Sequence, residues 1–151
     1  MQHPRREFLK LLSLMAAAGL LPAVSARAEE WNKAAFGSKK LDELIKLLGS
    51  NAPQQSEQVA LIGPEIAENG AVVPLEVESK LPNTESIAIL IEKNPNILAA
   101  NFSIPDGTEP WVNTRVKMGQ TSNVIALVKG GDGKFYYASK EVKVTLGGCG
   151  G

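Results

Sequence analysis

"AVVPLEVES", residues 71–79, places Val73, Leu75 and Val77 on one side of an extended chain and Glu76 and Glu78 on the other. Side chains of a strand point alternately to its two faces, so a period of two reads as a half-buried β-strand. Pro74 has no N–H to give to a ladder, which suits an edge or a bulge. Two further runs differ in kind. "SIAILIE" (86–92) is apolar on both faces from Ile87 to Ile91, and "NVIALV" (123–128) from Val124 to Val128, so both belong in the middle of a sheet.

The pattern continues outward from these three. "WVNTRVKM" (111–118) sets Val112, Thr114, Val116 and Met118 against Asn113, Arg115 and Lys117. "KFYYASKEVKVTL" (134–146) supplies one or two closing strands, with Val142, Val144 and Leu146 inward. Turn signals separate the runs: "ENG" (68–70), "PNT" (82–84), "PDG" (105–107) and "GGDG" (130–133). Six or seven short strands so spaced predict a mainly β chain, a compact β-sandwich over residues 51–146.

Ahead of the strands, in residues 29–50, lies one helical signal. In "KKLDELIKLLGS" (39–50) Leu41, Leu44, Ile45 and Leu48 recur at helical spacing. Ser38 is placed to cap the start of this short amphipathic helix and Gly49 to close its end. Trp31 and Phe36 are expected to anchor the preceding segment by burial, and "SNAPQQS" (50–56) reads as a linker.

The first 28 residues, "MQHPRREFLKLLSLMAAAGLLPAVSARA", have a basic start, an apolar run from Leu11 to Leu21, and small residues at Ala26 and Ala28. This is the build of an export signal rather than of structure. Its apolar run falls short of the ~20 residues of a membrane-spanning helix. "RREFLK" (5–10) resembles the twin-arginine signal, which exports proteins already folded. Cleavage after Ala28 is expected to leave a periplasmic protein with no membrane association.

Cleavage would remove Arg5, Arg6, Lys10 and Arg27 but only Glu7, turning 16 basic and 16 acidic side chains into 12 and 15. Such a balance offers no footprint for nucleic acid. The single histidine, His3, would leave too, and with it any Ser-His-Asp or Cys-His mechanism and any His-ligated metal site. No catalytic machinery, metal or other cofactor is expected in the remaining chain.

The other end reads "TLGGCGG" (145–151), with the only cysteine, Cys149, between Gly147–Gly148 and Gly150–Gly151. Glycine loses much backbone entropy on ordering and buries no side chain in return, so residues 147–151 are expected to form a flexible, thin arm. The three steps from Leu146 to Cys149 reach at most roughly 10 Å. In an oxidising compartment one cysteine pairs with another molecule or stays reactive. The arm supplies no base, cation or helix N-terminus to lower a thiol pKa near ~8.5, so activation must come from whatever receives it. That is the logic of a covalent carrier rather than of an enzyme.

Four stretches resemble the SoxY family: "VKVTLGGCGG" (142–151), "RVKMGQTSNVIALVK" (115–129), "ANFSIPDGTEPWVNTR" (100–115) and "IAENGAVVPLEV" (66–77). The resemblance implies an immunoglobulin-like antiparallel sandwich, paired with a SoxZ-like subunit as a heterodimer, in the sulfur carrier of thiosulfate oxidation. It further implies that Cys149 holds the sulfur intermediates. A haem enzyme would load thiosulfate, a manganese hydrolase release sulfate, and a sulfane dehydrogenase oxidise the remaining sulfur. Leu146 stands where the family pattern suggests isoleucine.

The remaining charged candidates carry two readings each. Arg115 and Lys117 on one strand face could steer anionic sulfur species or a partner, or simply be a solvated face. Glu76 and Glu78 could pass for paired carboxylates, but no pocket signal accompanies them. Lys140 and Lys143 read as solubilising charges near the root of the arm. Two rival functions also stand beside the carrier. One is a ubiquitin-like sulfur protein with a thiocarboxylate at its Gly-Gly end, against which the export signal argues because adenylation needs ATP. The other is a β-sandwich interaction module dimerised through Cys149.

Overall fold

A computed structural model describes residues 32–50 and 52–145. The expected signal segment and its cleavage site, Trp31, Leu146 and the whole of 147–151 lie outside the described residues. Among the described residues nine strands follow two helices: α1 (Lys33–Gly37), α2 (Leu41–Leu47), β1 (Gln54–Gln55), β2 (Val59–Ile62), β3 (Ile66–Ala67), β4 (Val73–Ser79), β5 (Ser86–Ile91), β6 (Leu98–Ser103), β7 (Trp111–Val116), β8 (Ser122–Lys129) and β9 (Phe135–Val144). Seven of them have four residues or more, in line with the six or seven expected. The larger sheet runs β1-β9-β8-β5-β6, with β3 also on β9, and the smaller runs β2-β4-β7. All ladders are antiparallel except those of β1 and β3 on β9. The architecture is an immunoglobulin-like sandwich.

Alternation explains the smaller sheet. Val73, Leu75 and Val77 of β4 are buried against the larger sheet, while Glu76 and Glu78 remain only partly covered. The larger sheet is buried on both faces, which is why its central strands read as unbroken apolar runs. One face sends Ile87, Ile89, Ile91, Val124, Ala126, Val128 and Val142 into the core between the sheets. The other sends Ala88, Leu90, Leu127 and Phe135 into a second core, closed by Ala35 and Leu44 from the helices. Leu44 is fully buried there, a burial that contributes roughly 1.5–3 kcal/mol.

Pro74 sits in the middle strand of its sheet, not on an edge strand. The register resolves the apparent conflict. β2 reaches only to the pair Ile62↔Glu76, so at Pro74 the ladder has β7 alone, through Pro74↔Arg115. One side of β4 is locally open where its N–H is missing.

The helical end departs from expectation in three ways. Helix α1 carries no periodic signal in the sequence; Asn32 starts it, its Oδ1 accepting the Ala35 amide at 3.1 Å. Ser38 ends α1 rather than capping α2, and its hydroxyl donates to the Lys40 carbonyl at 3.1 Å. Gly49 does close α2, with φ +94, a left-handed conformation that costs glycine little. Phe36 packs, half-buried, against the second core as expected. Within the expected linker, Gln54 and Gln55 pair in parallel with Tyr136 and Tyr137 as β1. Two residues of ladder are set by the neighbouring strand, not by any local pattern.

Candidate functional site

The longest strand, β9, carries the chain to the last described residue, Thr145. Its final residues are held from both sides. On one side β3 runs parallel to it, with Ile66↔Lys143 and Ala67↔Val144 in register. The Lys143 amide donates to the Glu65 carbonyl at 2.9 Å and the Thr145 amide to the Ala67 carbonyl at 3.1 Å. The Thr145 hydroxyl donates to the Glu68 carbonyl at 3.1 Å. On the other side the Val144 amide donates to Thr121 Oγ1 at 2.9 Å. Val142 is fully buried just before. Thr145 is therefore a fixed point. Cys149 lies four residues further, so covalent geometry keeps its Cα within about 14 Å of the Thr145 Cα.

The loops around this pole are bound to one another. The Met118 amide donates to the Gly70 carbonyl at 2.7 Å. Asn94 bridges the next pair of loops, Nδ2 donating to the Lys117 carbonyl at 2.7 Å and Oδ1 accepting the Gly119 amide at 3.1 Å. The Lys93 amide donates to Ser122 Oγ at 3.0 Å. Sequence reasoning finds the "ENG" turn here but not Asn94, Thr121 or Thr145. Their partners lie 23 to 77 residues away in the chain, beyond any local signal.

The charged candidates fare differently. β7 ends at Val116, so Arg115 lies on the strand and Lys117 follows it; both are exposed. The pair Val73↔Val116 puts them beside the start of β4, and the Met118–Gly70 bond links that loop to the turn holding Thr145. Glu76 has a cross-strand task, with Oε1 accepting Trp111 Nε1 at 2.8 Å and Oε2 accepting Asn113 Nδ2 at 3.3 Å. Glu78 faces Trp111 in register. Lys140 is not a merely solubilising charge, because its Nζ donates to the Gly63 carbonyl at 2.6 Å and ties β9 to the loop before β3. Lys143 is exposed.

Among the described residues two groups have displaced pKa values, both in the β8–β9 hairpin at the opposite pole. The Lys134 amide and then the Tyr136 hydroxyl bond to Asp132, and hold its carboxyl below the usual value. The same bond to Asp132 raises the Tyr136 phenol. Among the described residues no three His, Cys, Asp or Glu side chains gather as a metal site would require.

Comparison with known proteins bears on the whole of this arrangement. The family described as "Sulfur oxidation protein SoxY" matches residues 44–149, a span that ends on Cys149 itself. Among solved structures, the sulfur carrier protein SoxY from Chlorobium limicola f thiosulfatophilum is 37% identical, with TM-score 0.62 over 70% of this chain and 94% of that one. A superoxide reductase (neelaredoxin) from Ignicoccus hospitalis shares the fold alone, at 19% identity and TM-score 0.52 over 62% of this chain and 82% of that one. No curated protein matches the sequence. A family match that takes in both sheets of the sandwich and the terminal cysteine places this chain in the SoxY family of sulfur oxidation proteins.

Proposed function

We propose that the chain is a periplasmic sulfur carrier, exported by the twin-arginine route, which holds thiosulfate-derived intermediates covalently on Cys149. The observation that carries this reading is the coincidence of the family match with the chain's single cysteine, four residues beyond a clamped strand end. In the loading step the Sγ of Cys149 forms an S–S bond to the terminal sulfur of thiosulfate. Two electrons pass to a haem enzyme and the thiol proton to solvent, leaving a Cys149 S-thiosulfonate. Water then cleaves its sulfur–sulfonate bond at a manganese hydrolase, giving sulfate and a Cys149 persulfide. A sulfane dehydrogenase is the candidate for oxidising the remaining sulfur. The chain itself presents the substrate and leaves activation to these partners.

A SoxZ-like subunit is the proposed stable partner. Among the described residues β6 and β7 stand last in the strand orders of their sheets, and the end strands of a sheet are natural sites of association, which supports this. Intact mass of the protein from its native host, grown with and without thiosulfate, tests the carrier reading. The expected result is a thiosulfonate or persulfide on Cys149, absent from Cys149→Ser. Sulfur on Gly151 or a disulfide dimer alone would overturn it.

A further inference from the structure

Asn69 and Gly70 lie in the turn that holds the end of β9, and the pair has a chemistry of its own. Asparagine is thermolabile, and of the chain's asparagines only Asn69 is followed by glycine. Glycine has no Cβ, so no side chain of its own shields its backbone nitrogen from the asparagine before it. Asn69 is exposed. Its Oδ1 accepts the Ala71 amide at 2.8 Å, and the ring closed by that bond folds the side-chain carbonyl over the Asn69–Gly70 peptide. Its main-chain carbonyl accepts the Val72 amide at 3.4 Å. Among the described residues no hydrogen bond engages the Gly70 amide.

Long-range bonds surround this local geometry. The Glu68 carbonyl accepts the Thr145 hydroxyl at 3.1 Å, and the Gly70 carbonyl accepts the Met118 amide at 2.7 Å. Gly70 is buried. Solvent base therefore reaches its N–H when the turn opens, and a reaction there follows the local opening rather than the dipeptide chemistry alone. The bond from Ala71 to the Asn69 side chain is made within the turn, so parting the bonds to Thr145 and Met118 does not undo it.

We propose that Asn69–Gly70 is a site of succinimide-mediated deamidation, gated by the opening of the turn that anchors Thr145. The Gly70 nitrogen loses its proton to solvent base and attacks Asn69 Cγ. A C–N bond forms, the bond from Cγ to Nδ2 breaks, and the side-chain nitrogen leaves as ammonia after taking a proton from solvent. Water then opens the cyclic imide at either carbonyl, giving aspartate or isoaspartate. No oxidant or reductant takes part. Isoaspartate routes the main chain through Cγ and adds a methylene between the two carbonyls that hold Thr145 and Met118. The Asn69 carbonyl that accepts the Val72 amide leaves the main chain and becomes a carboxylate beside Glu68. The modification thus loosens the root of the last strand and does not reverse on reclosing. It does not rest on what Cys149 carries.

The test follows the full chain in mildly alkaline buffer, sampled over time and mapped by peptide mass, with fragmentation that separates isoaspartate from aspartate. Product should gather at Asn69 ahead of every other asparagine. Thr145→Val deletes one bond to the turn and should speed the reaction about two- to tenfold, the change in open population that one lost hydrogen bond brings. Thr145→Ser keeps the hydroxyl and should match wild type. Asn69→Gln, whose longer side chain closes the corresponding ring poorly, should give no product there. In converted protein, exchange of the Thr145 and Met118 amides should quicken relative to those of Val124 and Val128 in β8. Product no faster at Asn69 than at the other asparagines overturns the proposal, and a rate indifferent to Thr145→Val overturns the gating. Unchanged exchange at Thr145 and Met118 after conversion overturns the link to the strand end.

Discussion

The indole Nε1 of Trp111 donates to the Glu76 carboxylate across the β4–β7 ladder at 2.8 Å, although Trp111 is 45% exposed. With Asn113 on the second oxygen, the carboxylate fastens an edge strand to the middle of its sheet. Glu76→Ala removes the acceptor of both bonds. The expected loss is about 0.5–1.5 kcal/mol, the net worth of a hydrogen bond reduced by its exposure to water. It should appear as a lower urea midpoint with an unchanged slope. An unaltered midpoint would show that the pair contributes nothing.

Thr121→Val keeps the shape of the side chain but deprives the half-buried Val144 amide of its acceptor. Stability should fall by about 0.5–1.5 kcal/mol, the net worth of a hydrogen bond at a site that is only part-buried. Hydrogen exchange at Val144 should quicken more than at Val124 or Val128 of β8, because the root of the strand opens locally before the whole. Uniform acceleration would deny Thr121 its role as a clamp.

Acid should weaken the bond between Asp132 and Tyr136 in the β8–β9 hairpin. The Asp132 carboxyl titrates lower folded than its ordinary 3.8, because the Lys134 amide and Tyr136 hydroxyl favour the charged form. Its contribution is therefore present above the unfolded pKa and is lost as pH falls through the folded one. Tyr136 is raised above 10.0, so its contribution is present below that value and is lost as pH rises through the folded pKa. Asp132→Asn should flatten the stability profile below about pH 4 and bring the phenol titration, followed by ultraviolet absorbance, back towards the ordinary value. An unmoved phenol would show that the bond does not persist in solution.

On the carrier reading, the proposed task of the glycines beside Cys149 is to keep bulky side chains away from the thiol. Replacing Gly147 and Gly148 by valine, β-branched and stiff at χ1, should cut enzymatic loading about tenfold, ~1.4 kcal/mol of transition-state stabilisation. Reaction with a small disulfide reagent and the thermal midpoint should hardly change. Equal enzymatic rates would remove the reason for glycine there.

What is legible in the chain is what local chemistry decides. Val73, Leu75 and Val77 alternate because one face of β4 meets water, and Ile87 to Ile91 do not because helices cover the far side of β5. β6 carries no signal of its own, since "LAANFS" is short and rich in small residues without clear alternation. β1 and β3 are two-residue strands that exist only because β9 offers them an edge. At the site, Cys149 is conspicuous by being single and set among glycines. Thr121, Asn94 and the turn from Ile66 to Val72 are not, because their significance is a matter of which distant backbone they touch.

The course of β9 has a mechanical consequence. A pull along its axis at Thr145 would load the eight registered pairs with β8, together with the parallel pairs of β1 and β3, in shear rather than peeling them one after another. A strand attached along one side near the tip would unzip under far less tension. Here a partner could grip and tug whatever follows Thr145, and the force would be shared across the sheet.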